Sequence, residues 1–228
     1  MVLSLRSKAV AELVGTFVFV LVGAGSAIST QYLLGSTPGF PQLIAVAFAN
    51  GLGLAVAVSA TINISGGSLN PAVTLAVLLA RKMSLKAAIV YIIAELVGAT
   101  LAGVILILSL PTTAGNAVHW GAPTLSPDIT LFQGLLLESV MTFFLVIVIF
   151  GTAVDLRAPK IAGLAIGLTV VADVFLGGPF TGAAMNPARA SGPMIAGLFF
   201  NNWYVWWIAP IIGALLGAVV YIYGISRV

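Results

Sequence analysis

Two short segments carry the polar chemistry of a very apolar chain: "SGGSLNPAVT" at 65–74 and "TGAAMNPARA" at 181–190. Their shared triplets are Asn70-Pro71-Ala72 and Asn186-Pro187-Ala188. Asn is a strong helix N-cap, and Pro suits the first helical position, where its missing N–H would have had no partner anyway. Each triplet therefore predicts a helix start. A helix N-terminus carries about half a positive charge, and a cap amide adds N–H donors. Two such ends aimed at one point would hold a small lone-pair donor and repel cations. Arg189 is the third residue after the second cap. There it opposes the helix dipole by roughly 0.3–1 kcal/mol and is costly among apolar neighbours. The equivalent residue of the first segment is Val73. An unfavourable charge in one copy only predicts a function for Arg189. Glu12 and Glu138 also lie inside apolar stretches, where buried carboxylates can relay protons.

The elements that must hold these groups follow from composition. The chain of 228 residues is 61% hydrophobic and 7% charged, whereas globular domains are about a quarter charged. That predicts an all-α membrane protein and excludes a soluble fold. Six apolar runs can each cross about 30 Å of hydrocarbon: 9–33, 42–62, 84–108, 131–154, 161–176 and 203–223. Two shorter runs, 70–80 and 186–198, reach only about half way at about 1.5 Å per residue. The residues before them, 65–69 and 177–185, are expected to be non-helical at membrane depth, which is tolerated only inside protein or against a wet cavity. A first span, not a cleaved leader, is expected at the N-terminus, with no soluble domain on either side of the spans.

Basic residues set the orientation. Arg6 and Lys8, then Arg81, Lys82 and Lys86, then Arg157 and Lys160, and last Arg227 all fall on one side of a six-span chain. That side is the cytoplasm, so both termini are cytoplasmic. The loops 35–41 and 109–130 contain no Lys or Arg. The net charge of +3 is thus a loop bias, not a nucleic-acid surface.

The chain also repeats itself. Glu12-Leu-Val-Gly-Thr-Phe17 matches Glu138-Ser-Val-Met-Thr-Phe143; Asn70 and Asn186, like Gly51 and Gly167, lie 116 positions apart. "AELVGA" at 94–99 echoes "APIIGA" at 209–214. Halves of three spans each must be inverted relative to one another. The expected organisation is one channel domain over 1–228, with repeat one at about 1–115 and repeat two at about 130–228. Gly163-x-x-x-Gly167 and Gly213-x-x-x-Gly217 predict close helix contacts. Two half-helices would then meet head to head at the midplane. A water molecule between them would accept from Asn70 and Asn186, and its hydrogens would point along the lumen, which breaks a proton wire. Carbonyls of 66–68 and 182–184 would supply acceptors.

The pair "ISGGSLNPAVT" and "GAAMNPAR", the six spans and the repeated Glu-x-x-x-Thr-Phe resemble the aquaporin, or major intrinsic protein, family over nearly the whole chain. The resemblance implies six transmembrane helices plus two re-entrant half-helices in an inverted repeat of three and three, a passive pore through each subunit, and a homotetramer. It makes Glu12 and Glu138 acceptors for the backbone of the irregular loops, one carboxylate for each loop. Arg189 resembles the family's filter arginine, which donates to the permeant molecule and repels cations.

Offsets from the motifs carry the rest of that filter to Asn50, Val174 and Ala183. Orthodox water channels have an aromatic residue and a His at the first two places, and this chain departs at both. "AFANGLGLAV" with "FLGGPFTGAAMNPAR" is more similar to the plant vacuolar-membrane subgroup, in which a loop histidine can also reach the filter. His119, the chain's one histidine, is either that residue or a solvated loop side chain. Glycerol-conducting members have Asp after the arginine; here Ala190 follows, and Trp206-Trp207 keeps the aromatic pair typical of water channels. Glu95 faces Pro210 in the repeat and has no assigned role, and Asp173 could pair with Arg189, face a neighbouring subunit or sit in the vestibule.

The function expected is passive passage of water, with small neutral solutes such as ammonia, urea or hydrogen peroxide, and exclusion of protons and ions. The membrane expected is the cell membrane. Alternatives are a glycerol facilitator, an ion-coupled secondary transporter, which the absence of acidic residues from both short helices disfavours, and a structural junction protein. With no cysteine and one histidine, no catalytic constellation, metal site or cofactor is expected.

Overall fold

The computed structural model describes residues 3–35, 39–155, 157 and 161–226. Lys160 and Arg227, both used to orient the chain, lie outside them. The element order is α1 Leu5–Leu34, α2 Phe40–Thr61, α3 Pro71–Leu79, α4 Leu85–Ser109, a short α5 Thr112–Ala117, α6 Leu131–Ile149, α7 Ala162–Thr181, α8 Pro187–Gly197 and α9 Val205–Val220. A turn of 3-10 helix, His119–Gly121, follows α5, and π-turns Phe150–Val154 and Tyr221–Ile225 extend α6 and α9. Six of these helices are long and apolar enough to cross a membrane.

Polar side chains cap three of the six long helices. Ser4 accepts from the Ser7 N–H, and Ser84 from Ala87. Thr130 and Gln133 form a reciprocal capping box, which satisfies two orphan donors at once. The Ser4 cap begins α1 four residues earlier than expected, so Arg6 and Lys8 lie within the helix. A larger difference is at α7, expected to stop near residue 176 but continuous to Thr181. Pro179 lies in its last turn, where a missing N–H costs one bond and no following helix is broken. Gly182, in the left-handed region at φ 77°, ends the helix instead. The non-helical run before Asn186 is therefore 182–185, not 177–185. The 109–130 loop, expected to be irregular, contains α5 and the 3-10 turn.

Packing shows the repeat. α1 lies on α4 as α6 lies on α9; α1 lies on α2 as α6 lies on α7. The short helices cross over: α3 packs on α9 of the other half, and α8 on α4. α2 and α7 pack on each other across the axis that relates the halves. Glycines permit these approaches. A Cβ on Gly98 would strike the Leu13 carbonyl oxygen, and one on the matching Gly213 would strike that of Ser139. Gly51 and Gly167 meet backbone to backbone at the α2–α7 crossing, so the small residues at the predicted contact positions do sit in contacts. At about 1.5 Å per residue, nine-residue α3 and eleven-residue α8 are each only about half as long as a hydrocarbon core is thick. The outward faces carry exposed Val10, Val14, Val56, Ile93 and Leu216, the apolar surface a lipid-facing bundle needs.

Candidate functional site

Asn70 and Asn186 both have extended backbone (φ −160° and −150°) and both cap their helices with side-chain oxygen. Asn70 Oδ1 accepts from the Ala72 N–H at 2.9 Å. Asn186 Oδ1 accepts from Ala188 at 2.9 Å and Arg189 at 3.1 Å. Each amide nitrogen then reaches across to the opposite half. Asn70 Nδ2 donates to the Met185 carbonyl at 2.9 Å, and Asn186 Nδ2 to the Leu69 carbonyl at 2.8 Å. One N–H of each amide is committed to this crossed pair; the second is left over. Pro71 and Pro187 occupy the first helical positions, and Ala72 and Ala188 are fully buried where α3 and α8 meet.

The two asparagines border a narrow cavity with room for about 20 Å³. A water molecule needs about 10–15 Å³ measured in this way, so the neck holds one or two. Its walls are Phe19, Leu54, Val58, Leu145, Ile149, Ile166 and Val170, and its polar line is Gly67, Ser68, Asn70, Ala184 and Asn186. The neck shares Gly67, Ser68, Val73, Ile149 and Ile166 with a basin of about 520 Å³, which also touches Lys8 and Lys82. The neck thus widens into this basin on the side that carries Lys8 and Lys82.

Both irregular loops have the same frame. Left-handed backbone recurs at matched places: Gly66, Gly67 and Leu69 in the first, Gly182, Ala183 and Met185 in the second. This conformation turns successive N–H groups to one side, where a carboxylate takes them. Glu12 accepts from Ser68 at 3.1 Å and Leu69 at 2.7 Å. Glu138 accepts from Ala184 at 3.0 Å, Met185 at 2.8 Å and the Thr181 hydroxyl at 2.7 Å. An aromatic donor then closes each loop from the far side. Tyr91 Oη donates to the Ser65 carbonyl at 2.8 Å, and Trp206 Nε1 to the matching Thr181 carbonyl at 3.0 Å. The sequence reading missed the roles of Tyr91 and Trp206. The 115-position offset that pairs "AELVGA" with "APIIGA" also pairs these two residues, and was the signal that could have found them.

The residues carried over as a filter are all buried, but on different supports. Arg189 is 5% exposed and donates through Nη1 to the Gly121 carbonyl at 3.0 Å. Gly121 in turn packs so closely on Ala24 that a Cβ there would collide. Asn50 fills the space left by Gly23, one residue before Ala24, and donates from Nδ2 to the Val46 carbonyl at 2.8 Å. Val174 lies beside Gly178, and Ala183 sits in the left-handed turn at φ 44°. His119 is exposed, and its ring stacks on Phe199, with centroids 3.8 Å apart and planes 8° apart. Its turn, rather than its ring, reaches the arginine, through Gly121.

Asp173 is 2% exposed within the single chain, and Oδ2 has no hydrogen-bond partner. Among the described residues the one ion pair is Arg157–Asp155 at 2.7 Å, so Asp173 is neither paired with Arg189 nor displayed to a neighbour. Asp155 also accepts from Tyr221 Oη at 3.0 Å, which ties the C-terminal end of α6 to that of α9. The Arg157 hydrogen bonds hold the Asp155 carboxyl below the usual carboxylate range, and Asp155 raises Arg157.

Comparison with known proteins agrees with this geometry. The model of the family described as "Major intrinsic protein" matches residues 2–221. "Probable aquaporin TIP3-2" of Arabidopsis thaliana is 43% identical over 224 residues, 93% of this chain and 81% of that protein. "Aquaporin TIP4-4" of Zea mays is 41% identical over 215 residues, 92% of this chain and 83% of that one. The crystal structure of the aquaglyceroporin from Plasmodium falciparum superposes with a TM-score of 0.81 over 98% of each chain at 24% identity, a likeness of fold.

Proposed function

Given that the chain belongs to the major intrinsic protein family, we propose that it is a passive pore for water that also passes compact neutral solutes and excludes protons and ions. The observation that carries this reading is the crossed asparagine pair beside a neck of about 20 Å³. Each amide has one N–H left for a molecule in the neck, and both helix N-termini point at it. Water bound there accepts twice and turns its own hydrogens along the apolar walls. Cations meet two dipole ends and then Arg189. The whole of 1–228 works as one channel domain made of two inverted repeats, and no step of passage is catalytic.

Asn50, Val174, Ala183 and Arg189 form the filter of this pore. Without an aromatic residue and a histidine beside the arginine, its bore is wider than that of an orthodox water channel. Asn50 and Arg189 make a donor wall, and Val174 and Ala183 an apolar one. A polar wall that a solute's own groups can satisfy avoids the roughly 1–3 kcal/mol cost of an unmatched polar group. Ammonia, urea and hydrogen peroxide fit these terms. Ala190 after the arginine disfavours glycerol.

The chain is an integral, multi-pass membrane protein. Likeness to TIP-type relatives, and to the plant vacuolar-membrane subgroup in the filter, favours a vacuolar-type membrane over the cell membrane expected first. The side that carries Arg6, Lys8, Arg81, Lys82 and Lys86 faces the cytoplasm, and four copies assemble into a homotetramer. Stopped-flow comparison of water, glycerol, urea and ammonia in vesicles tests the proposal. Water and ammonia should pass fastest, urea more slowly and glycerol least. Glycerol flux equal to that of urea would overturn the solute ranking.

A further inference from the structure

We propose that Glu95 is a positioning residue for the first half-helix and acts as a neutral acid, with its hydroxyl donating to the Glu12 carboxylate. Both side chains are completely buried, on α4 and α1, which pack together. Glu95 is bonded to Thr74 just after Asn70, and Glu12 to Ser68 and Leu69 just before it, so both carboxyls converge on one stretch of backbone. Two ionised carboxylates brought together there, neither with an ion-pair partner among the described residues, repel each other strongly where water is excluded. One proton resolves the conflict, and the donors around the pair say where it sits.

Glu12 takes a backbone N–H on each oxygen, from Ser68 and Leu69. Each of its oxygens therefore already has a donor. Glu95 Oε1 accepts from the Thr74 hydroxyl at 2.7 Å, while Oε2 is buried without a partner. A buried carboxylate oxygen with no donor is expensive. A proton on Oε2 turns that oxygen into a donor for the Glu12 carboxylate on the neighbouring helix. The bond then runs from Glu95 Oε2–H to Glu12, the negative charge stays on Glu12, and no buried oxygen is orphaned. Thr74 stands in the first turns of α3, and Ser68 and Leu69 are the last two residues before Asn70. The acid pair therefore grips the first half-helix and its loop together, and so sets where Asn70 points. The second half has no equivalent, because Pro210 replaces Glu95 and Ala190 replaces Thr74. Of the other charged groups on elements packed against α4, Arg189 is turned to Gly121, and Arg6 and Lys8 lie in the first turn of α1.

The flux arm of the test rests on the pore reading; the spectroscopic arm does not. Infrared spectra of the reconstituted full chain should show at neutral pH the carbonyl stretch of a protonated carboxylic acid, and Glu95→Gln should remove that component. Glu95→Gln should also keep the unfolding temperature and water permeability, because its amide N–H replaces the hydroxyl donor. Glu95→Leu should lower both, with permeability falling several-fold. An acid band unchanged in Glu95→Gln would overturn the proposal. So would a Glu95→Gln chain that loses stability, which means that Glu95 is ionised, or a Glu95→Leu chain as stable and permeable as wild type. Wild-type vesicles that pass no water would defeat the pore reading instead and leave the acid band to decide the pair.

Discussion

The loop before Asn70 and the loop before Asn186 are built on one plan and finished differently. Both have three left-handed residues in register, a carboxylate that collects two N–H groups, and an aromatic donor behind. What differs stands one turn further out. Val73 and Thr74 in the first half face Arg189 and Ala190 in the second, and Glu95 faces Pro210. The shared features hold backbone at membrane depth, where every polar group needs a partner. The unshared features add a second buried carboxyl, Glu95, to one half and a cation, held by Gly121, to the other. Symmetry therefore builds the shared frame, and in the proposed function its departures set what goes through.

The comparison breaks most completely at the shared carboxylates. Glu138→Leu strands the N–H groups of Ala184 and Met185 and the Thr181 hydroxyl. Each buried orphan costs roughly 1–3 kcal/mol. The variant should lose most of its folded yield and unfold far earlier on heating in detergent, and Glu12→Leu should do the same. A Glu138→Leu channel of normal stability would show that the loop is held by something else.

Arg189→Val makes the second half like the first at this position. It should keep the unfolding temperature, since the arginine opposes the helix dipole, but admit cations, protons and larger solutes. Flux assays with ions and sugar alcohols check it. The paired change Asn50→Phe with Val174→His sharpens the same contrast in the opposite sense. It should cut urea flux much more than water flux, and an unchanged ratio would place the bore elsewhere.

A smaller effect is expected at the aromatic donors. Tyr91→Phe removes only the bond to Ser65 and should cost about 1 kcal/mol, read as a modest fall in unfolding temperature. Trp206→Phe removes the bond to Thr181 and leaves a gap as well, so it should cost more. The smallest effect lies outside the repeat comparison, at the exposed Asp155–Arg157 pair. The folded Asp155 carboxyl is held below its ordinary value. Its contribution is therefore fully present above the unfolded pKa of about 3.9 and is lost as pH falls below it. Wild type should lose slightly more stability than Asp155→Asn between neutral pH and acid.

Much of this was legible in the sequence, for physical reasons that stop at identifiable places. Asn-Pro fixes a helix start by local chemistry alone, so both caps could be placed to the residue. The end of α7 could not, because Pro179 looks like a stop signal, and only the fold shows that no helix continues past it for the ring to break. Gly121 as the partner of Arg189 lies 68 residues away in the loop between α4 and α6, and no spacing rule joins them. Tyr91 and Trp206 resemble any buried aromatic until the repeat is laid on itself. His119 fits either a filter or a loop residue by sequence, and its stacking on Phe199 depends on a chain path that composition does not encode.

The central claim is that the crossed asparagines pass water and stop protons. Osmotic shrinkage and internal pH followed in the same reconstituted vesicles test it most directly. The account predicts water permeability far above that of empty vesicles, a low activation energy and no proton flux under an imposed gradient. Shrinkage no faster than in empty vesicles by folded protein, or fast shrinkage accompanied by proton flux, would contradict it.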